Sequence, residues 1–370
     1  MLDLGVRLQL LVGPTLPVPA PYDVMEALQE LEVRNDARQR DGLQLTFSLA
    51  KDAPLEFGLL RQGLLDPPHR VIVVVIIGAL AQVLIDGIIT HHQVLPSQEP
   101  GQSRLIVTGE DISRQLDLEE KNVTHPNQSD STIVTKIIAS YASYGLLPKV
   151  TPTTDVPVET ERVPSQQGTD LAYIRQLAER NSFVFYIEPT EVPGVNSAYW
   201  GPEQRGGQPQ PALTVNMGAY TNVDQISFNF DALKPVKPQV TIIEPLAKLG
   251  IPIPLPDLLQ PTLSGRPAKP LRTIIRRDTG HLDWIQAGLR ALASVSQSAD
   301  AVTASGVLDA VRYGRALRAR RLVGVRGAGQ THDGNYYVRR VTHRIKRGEY
   351  KQDFELAREG RGASSTTVIV

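Results

Sequence analysis

At 370 residues the chain can hold two to four domains with separate cores, since a single core rarely grows past about 250 to 300 residues. Its 39 Lys plus Arg balance 39 Asp plus Glu, so net charge gives no general attraction to nucleic acid or to an anionic membrane, and any basic surface must be local. The absence of cysteine excludes a disulfide framework, thiolate zinc sites and a cysteine nucleophile, and suits folding in a reducing compartment.

The amino terminus, MLDLGVRLQLLVG, alternates and has no basic stretch ahead of an apolar run. It reads as a strand with Leu4, Val6, Leu8 and Leu10 on one face, and the expectation is a chain made without a signal peptide. Alternation returns at Leu43, Leu45, Phe47 and Leu49, and residues 28–49 read as a hairpin with a long connection ending at Asp41-Gly42. Residues 71–90, VIVVVIIGALAQVLIDGIIT, have the length of a membrane span. Gly78 splits the run, Asp86 would cost about 3 kcal/mol in hydrocarbon, and β-branched residues favour strands. Two buried strands turning at Gly78-Ala79 are expected instead. With the strand SRLIVTGED, about six strands fall within the first 110 residues, enough for a small β-barrel or sandwich.

The period then changes. Asp130 and Ser131 can cap a helix with Ile133, Val134, Ile137, Ile138 and Tyr141 on one face, ending near Gly145. After a Thr- and Pro-rich connector, Thr169 and Asp170 can start a second helix with Leu171, Ile174 and Leu177 inward, followed by the strand FVFYIE. Residues 190–215, rich in Gly, Pro and Gln, read as a long surface loop. QISFNF at 225–230 returns to strand. The prolines of 251–270 forbid a continuous helix or central strand and leave an extended arm. Residues 283–295 read as a helix with Leu282, Ile285, Leu289 and Leu292 at helical spacing. RLVGVRG and a long hairpin turning near Arg347-Gly348 close the pattern, and the tail 361–370 has no evident core to join.

Little of this carries chemistry. His91 and His92 are adjacent and would point to opposite faces of a strand, and His125, His281, His332 and His343 are scattered, so no metal site is expected. Glu119 and Glu120 read as neighbouring exposed acids, not as a glycosidase pair held across a cleft. The glycines of GVRGAGQTHDGN, 324–335, read as turns, since no helix follows to bind phosphate. The sequons at Asn122 and Asn127 read as chance matches in a polar loop. No nucleophile motif or cofactor signature stands out, so no cofactor is expected. One basic feature remains: Arg312, Arg315, Arg318, Arg320, Arg321 and Arg326 fall within residues 312–326, either as a solvated face or as an interface or lumen lining.

The order of four segments resembles a known family. They are LIDGIITHHQVLPSQEPGQSRLIVTGEDISRQLDLEEK at 84–121, GTDLAYIRQLAERNSFVFYIEP at 168–189, YWGPEQR at 199–205 and GQTHDGNYYVRRVTHRIKRGEYKQDFELAREG at 329–360. In this order they are similar to the baseplate hub proteins of contractile phage tails, which also form the amino-terminal part of type VI secretion spike proteins. The resemblance implies a β-rich α+β fold with two tail-tube-like β-barrel domains and helix-containing inserts. It places a first barrel at 1–110, a helix-containing α+β insert at 111–220, a second barrel at 221–250 with 310–360, a Pro-rich arm and helix at 251–309, and a tail at 361–370. It further implies a non-enzymatic homotrimer that adapts a sixfold inner tube to a threefold spike. Its partners would be the tube protein, a separate spike chain and baseplate wedge components, in a particle assembled in bacterial cytoplasm, with DNA or protein cargo passing through its lumen and no stable nucleic-acid or membrane binding. Two competing readings are a tail-associated peptidoglycan hydrolase, which needs a pair of acids or a metal triad in a cleft, and a carbohydrate- or receptor-binding module, which needs an exposed aromatic platform. The concentrated candidates for that platform are Tyr199 and Trp200.

Overall fold

Alternation builds the first sheet. In β1, Val6–Gly13, the residues Val6, Leu10 and Val12 are buried while Arg7 and Gln9 face solvent, the pattern of a strand with one face on a core. The computed structural model describes residues 5–53, 56–99, 101–157, 159–160, 163–243, 250–253, 262–276 and 300–364. The strands β2 Leu28–Asp36, β3 Gly42–Ser48, β4 Arg70–Ile77, β5 Leu80–Leu95 and β6 Arg104–Asp111 join β1 in the antiparallel order β2-β3-β6-β5-β4-β1. One core receives Leu10, Leu31, Phe47, Val73, Ile85 and Leu105 from all six strands. β4 and β5 meet at Ile77 and Leu80 across the two-residue turn at Gly78, whose φ of +60 suits glycine. Val71, Val73 and Val75 face the core, whereas Ile72 and Val74 pack with Val83 in a second cluster. Burial on both faces explains the unbroken apolar run. Among the described residues no helix is long and apolar enough to cross a membrane.

The middle of the chain folds around two helices, α1 Asp130–Ala139 and α2 Asp170–Arg180. Their caps are Ser129 and Thr169, each side chain accepting a bond from the backbone N–H three residues on. The first cap thus lies one residue before the Asp130-Ser131 pair expected from sequence, and Asp130 instead takes a bidentate bond from Arg180. Three strands, β7 Leu146–Val150, β8 Val184–Pro189 and β9 Asn196–Gly201, pair in the order β7-β9-β8. Ile133, Ile138, Leu171, Ile174, Ile187 and Trp200 fill the core between sheet and helices.

Residues 190–215 are therefore not one surface loop. β9 is the central strand of its sheet, and β10, Gln210–Thr214, is paired in parallel with β14, described below. NSAYWG is buried along most of its length, so it shows no alternation, and the surrounding Gly, Pro and Gln dominate the composition.

A second core forms around β11 Val223–Phe230, β13 Val302–Asp309, β14 Leu322–Arg326, β15 Gly334–Lys346 and β16 Glu349–Arg358, with β12, Ser264–Pro267, outside it. Residues 302–309, expected in the arm-and-helix segment, sit inside this sheet between β11 and β16. β12 pairs with β17, Gly360–Ala363, so the prolines leave an extended arm and the start of the expected free tail is its partner. The helix read at 283–295 lies outside the described residues.

The long hairpin β15–β16 belongs to both halves. Val338, Val341 and Leu356 enter the second core, whereas Ile345 and Tyr350 at its tip enter the first. On one edge of β15, residues 334–337 pair with β14 and residues 340–346 pair with β2. The ladder between β15 and β16 shifts register between Val338 and Arg340. One continuous sheet thus passes from one core to the other.

Candidate assembly interface

Residues 310–321 connect β13 to β14 through a single helical turn, Ala310–Tyr313, capped by Asp309. Beyond it the backbone has few partners of its own, and three glutamines supply them. Gln82 of β5 accepts from Ala316 N at 2.7 Å. Gln352 of β16 accepts from Leu317 N at 2.9 Å. Gln210 of β10 both accepts from Arg318 N and donates to its carbonyl at 2.9 Å. Side chains from both halves of the sheet therefore fix the segment that carries the arginines.

The arginines do not form one free basic face. Arg320 is buried and donates to both carboxylate oxygens of Asp41, at 2.6 and 3.1 Å, and to the Asp36 carbonyl at 2.5 Å. Burial opposes its charge, yet Asp41 holds the guanidinium above its ordinary pKa. Arg320 is thus a structural link and unavailable as an interface or lumen residue. Arg318 is half-buried, and burial lowers its pKa despite Glu188. Arg321 bonds Glu188 at 3.1 Å and Arg312 bonds Asp224 at 2.6 Å. Arg315 is exposed and Arg326 half-buried.

Asp41 is the centre of a buried polar seam. It accepts from Asn35 Nδ2 at 3.0 Å and from Asp36 N at 2.8 Å, while its own N–H donates to Asp111 at 2.8 Å. Burial, then the Asp41 charge, pushes the Asp111 carboxyl up to about 6. Asn35 donates through Nδ2, so its Oδ1 accepts from His343 Nε2 at 3.2 Å, and His343 Nδ1 accepts from the Tyr350 hydroxyl at 2.8 Å. Burial lowers the imidazole pKa to about 3, which keeps the ring neutral as this pairing requires.

Two more buried pairs tie the middle unit to the sheets. Arg70 forks onto Asp86 at 2.8 and 2.6 Å and reaches the Tyr144 and Gly194 carbonyls, while Asn196 donates to Asp86 at 2.7 Å. Arg205 likewise forks onto Asp300 and lies 5.1 Å from the Tyr337 ring. Sequence reading missed all three carboxylate–arginine links, because their partners are 16 to 279 residues apart.

The other candidates separate. Tyr199 and Trp200 are 4% and 0% exposed, with the Trp200 indole donating to the Ile174 carbonyl, so they are core and offer no binding platform. His91 and His92 are exposed, and His92 faces Asp66 at 3.7 Å. Among the described residues no group of three or more His, Asp or Glu could hold a metal. Asn122 lies on the strand Glu120–Thr124, not in a loop. The glycine-rich 327–334 segment is the turn between β14 and β15, closed by Asp333 accepting from Ala328 N.

No family model matches the chain, and no curated protein matches its sequence. Solved structures do. A tail protein from Neisseria meningitidis superposes with a TM-score of 0.62 at 14% identity, over 97% of this chain and 98% of that one. The 43 kDa tail protein of prophage MuSo2 from Shewanella oneidensis gives 0.61 at 13% identity, over 96% and 98%. An E. coli component of the type VI secretion system, itself similar in structure to phage T4 tail proteins, gives 0.52 at 14% identity, over 93% and 77%. The chain therefore has the β-rich α+β fold of phage tail proteins along nearly its whole length.

Proposed function

We propose that the chain is a non-enzymatic hub subunit in the baseplate of a contractile phage tail or phage-tail-like injection particle. Three copies would present six sheet units, two per chain, to a sixfold inner tube and threefold symmetry to a separate spike. The observation that carries this reading is the single sheet running through two cores, in a chain whose fold matches that of tail proteins over 96 to 97% of its length. A ring suits the open edge at β11, which pairs only with β13 among the described residues. An exposed strand edge invites pairing unless a neighbour covers it. Arg312, Arg315, Arg321 and Arg326 are the arginines left to face a channel or a neighbouring chain. Particles assembled without this chain are expected to lack inner tubes and complete baseplates in electron micrographs; tubes of normal length on intact baseplates would contradict the proposal.

A further inference from the structure

The end of β11 forms a small socket. Phe230, Pro267 and Leu271 give it apolar walls, Arg266, Lys269 and Arg361 give it charge, and its cavity measures about 290 Å³. Phe230 and Leu271 are 39% and 69% exposed, and the Arg361 guanidinium lies 4.5 Å from the Phe230 ring centroid. Among the described residues no carboxylate lines the socket. Among the described residues none of its three cations has an ion-pair partner, whereas Arg70, Arg205, Arg320, Arg340 and Arg344 each have one.

A complementary feature protrudes elsewhere on the same chain. The 3-10 helix Ile112–Asp117 ends at Leu118, and the strand Glu120–Thr124 follows at once. Asp117 is held by Arg40 and Arg114, but Leu118, Glu119 and Glu120 project into solvent, Leu118 being 60% exposed. Neither glutamate has an ion-pair partner among the described residues. An apolar side chain flanked by two free carboxylates is what an apolar socket rimmed by three free cations would accept.

We infer that the Leu118-Glu119-Glu120 knob of one copy seats in the Phe230 socket of the next, a contact between second copies of this chain that rests on the ring reading above. Knob and socket are different surfaces, so the contact is heterologous and propagates around a rotation axis until it closes. The socket also lies at the end of β11, the open strand beside which a neighbour must sit.

The absence of native cysteine makes a clean test available. A Glu119→Cys, Lys269→Cys double variant, treated with a short bismaleimide, is expected to give covalent species of up to three chains, whereas either single variant gives none. Glu119→Lys with Glu120→Lys is expected to weaken self-association about ten- to a hundredfold, as like charges meet at the contact, and Lys269→Glu with Arg361→Glu in that background is expected to restore it. Light scattering on the same samples separates the two ideas. A threefold mass with no cross-link and no effect of charge reversal overturns this contact and leaves the ring standing; a chain that stays monomeric throughout overturns both.

Discussion

Two buried titrating groups pull the pH dependence in opposite directions. The His343 pKa falls from 6.5 to about 3 in the fold, so its contribution to stability is present above pH 6.5 and is lost as pH drops toward 3. The Asp111 pKa rises from 3.8 to about 6, so its contribution is present below pH 4 and is lost as pH climbs through 6. The two slopes nearly cancel between pH 6 and 4, and the larger histidine shift leaves a net fall in stability on acidification from pH 6.5 to 3. His343→Gln can still donate to Asn35 and accept from Tyr350, and should lose markedly less stability over that range in urea unfolding; an unchanged pH slope would refute the assignment. The Arg70–Asp86 pair makes a second case. Both side chains are almost wholly buried, at 3% and 1% exposure, and removing one partner of such a pair costs about 3 to 5 kcal/mol. Asp86→Ala should therefore destabilise by about that much, and a loss under 1 kcal/mol would show that water reaches Arg70. Neither Asp86 nor Arg320, the buried partner of Asp41, was legible as a structural charge: Asp86 served only as a reason to reject a membrane span, and Arg320 read as one member of a basic run.

At the level of elements, glycine sites divide by what surrounds them. Gly145 ends the turn after α1 with φ +74, and a Cβ there would overlap the Gly194 carbonyl. Gly78 has φ +60 in its hairpin turn with nothing within 4 Å of a Cβ. Gly145→Ala is expected to cost about 1 to 3 kcal/mol and to speed amide exchange across residues 130–201, whereas Gly78→Ala should cost about 1 kcal/mol or less. Equal effects would mean that close backbone approach is not what selects Gly145. Elements with one solvated face were readable, since alternation in β1 and β3 and the 3.6 period in α1 and α2 report burial directly. β9 was not, because a strand covered on both faces carries no period. The three glutamines that hold residues 316–318 were equally silent, as nothing local distinguishes a glutamine that points outward from one that replaces a missing backbone partner.

On the scale of the whole molecule, the hairpin β15–β16 makes the two cores one mechanical body. Its base packs in the second core and its tip in the first, so force applied to one half passes through a continuous ladder of hydrogen bonds. The segments 84–121 and 329–360, read in sequence as parts of one family pattern, supply two strands of the first core, β5 and β6, and this shared hairpin. The measurement that bears most directly on the hub reading is the mass of the purified chain by light scattering, with electron-microscopy class averages of the same sample. A particle of three 40.6 kDa chains, seen as a threefold ring around a central channel, is the expected result. A stable monomer at all concentrations, with no ring in the averages, would contradict it.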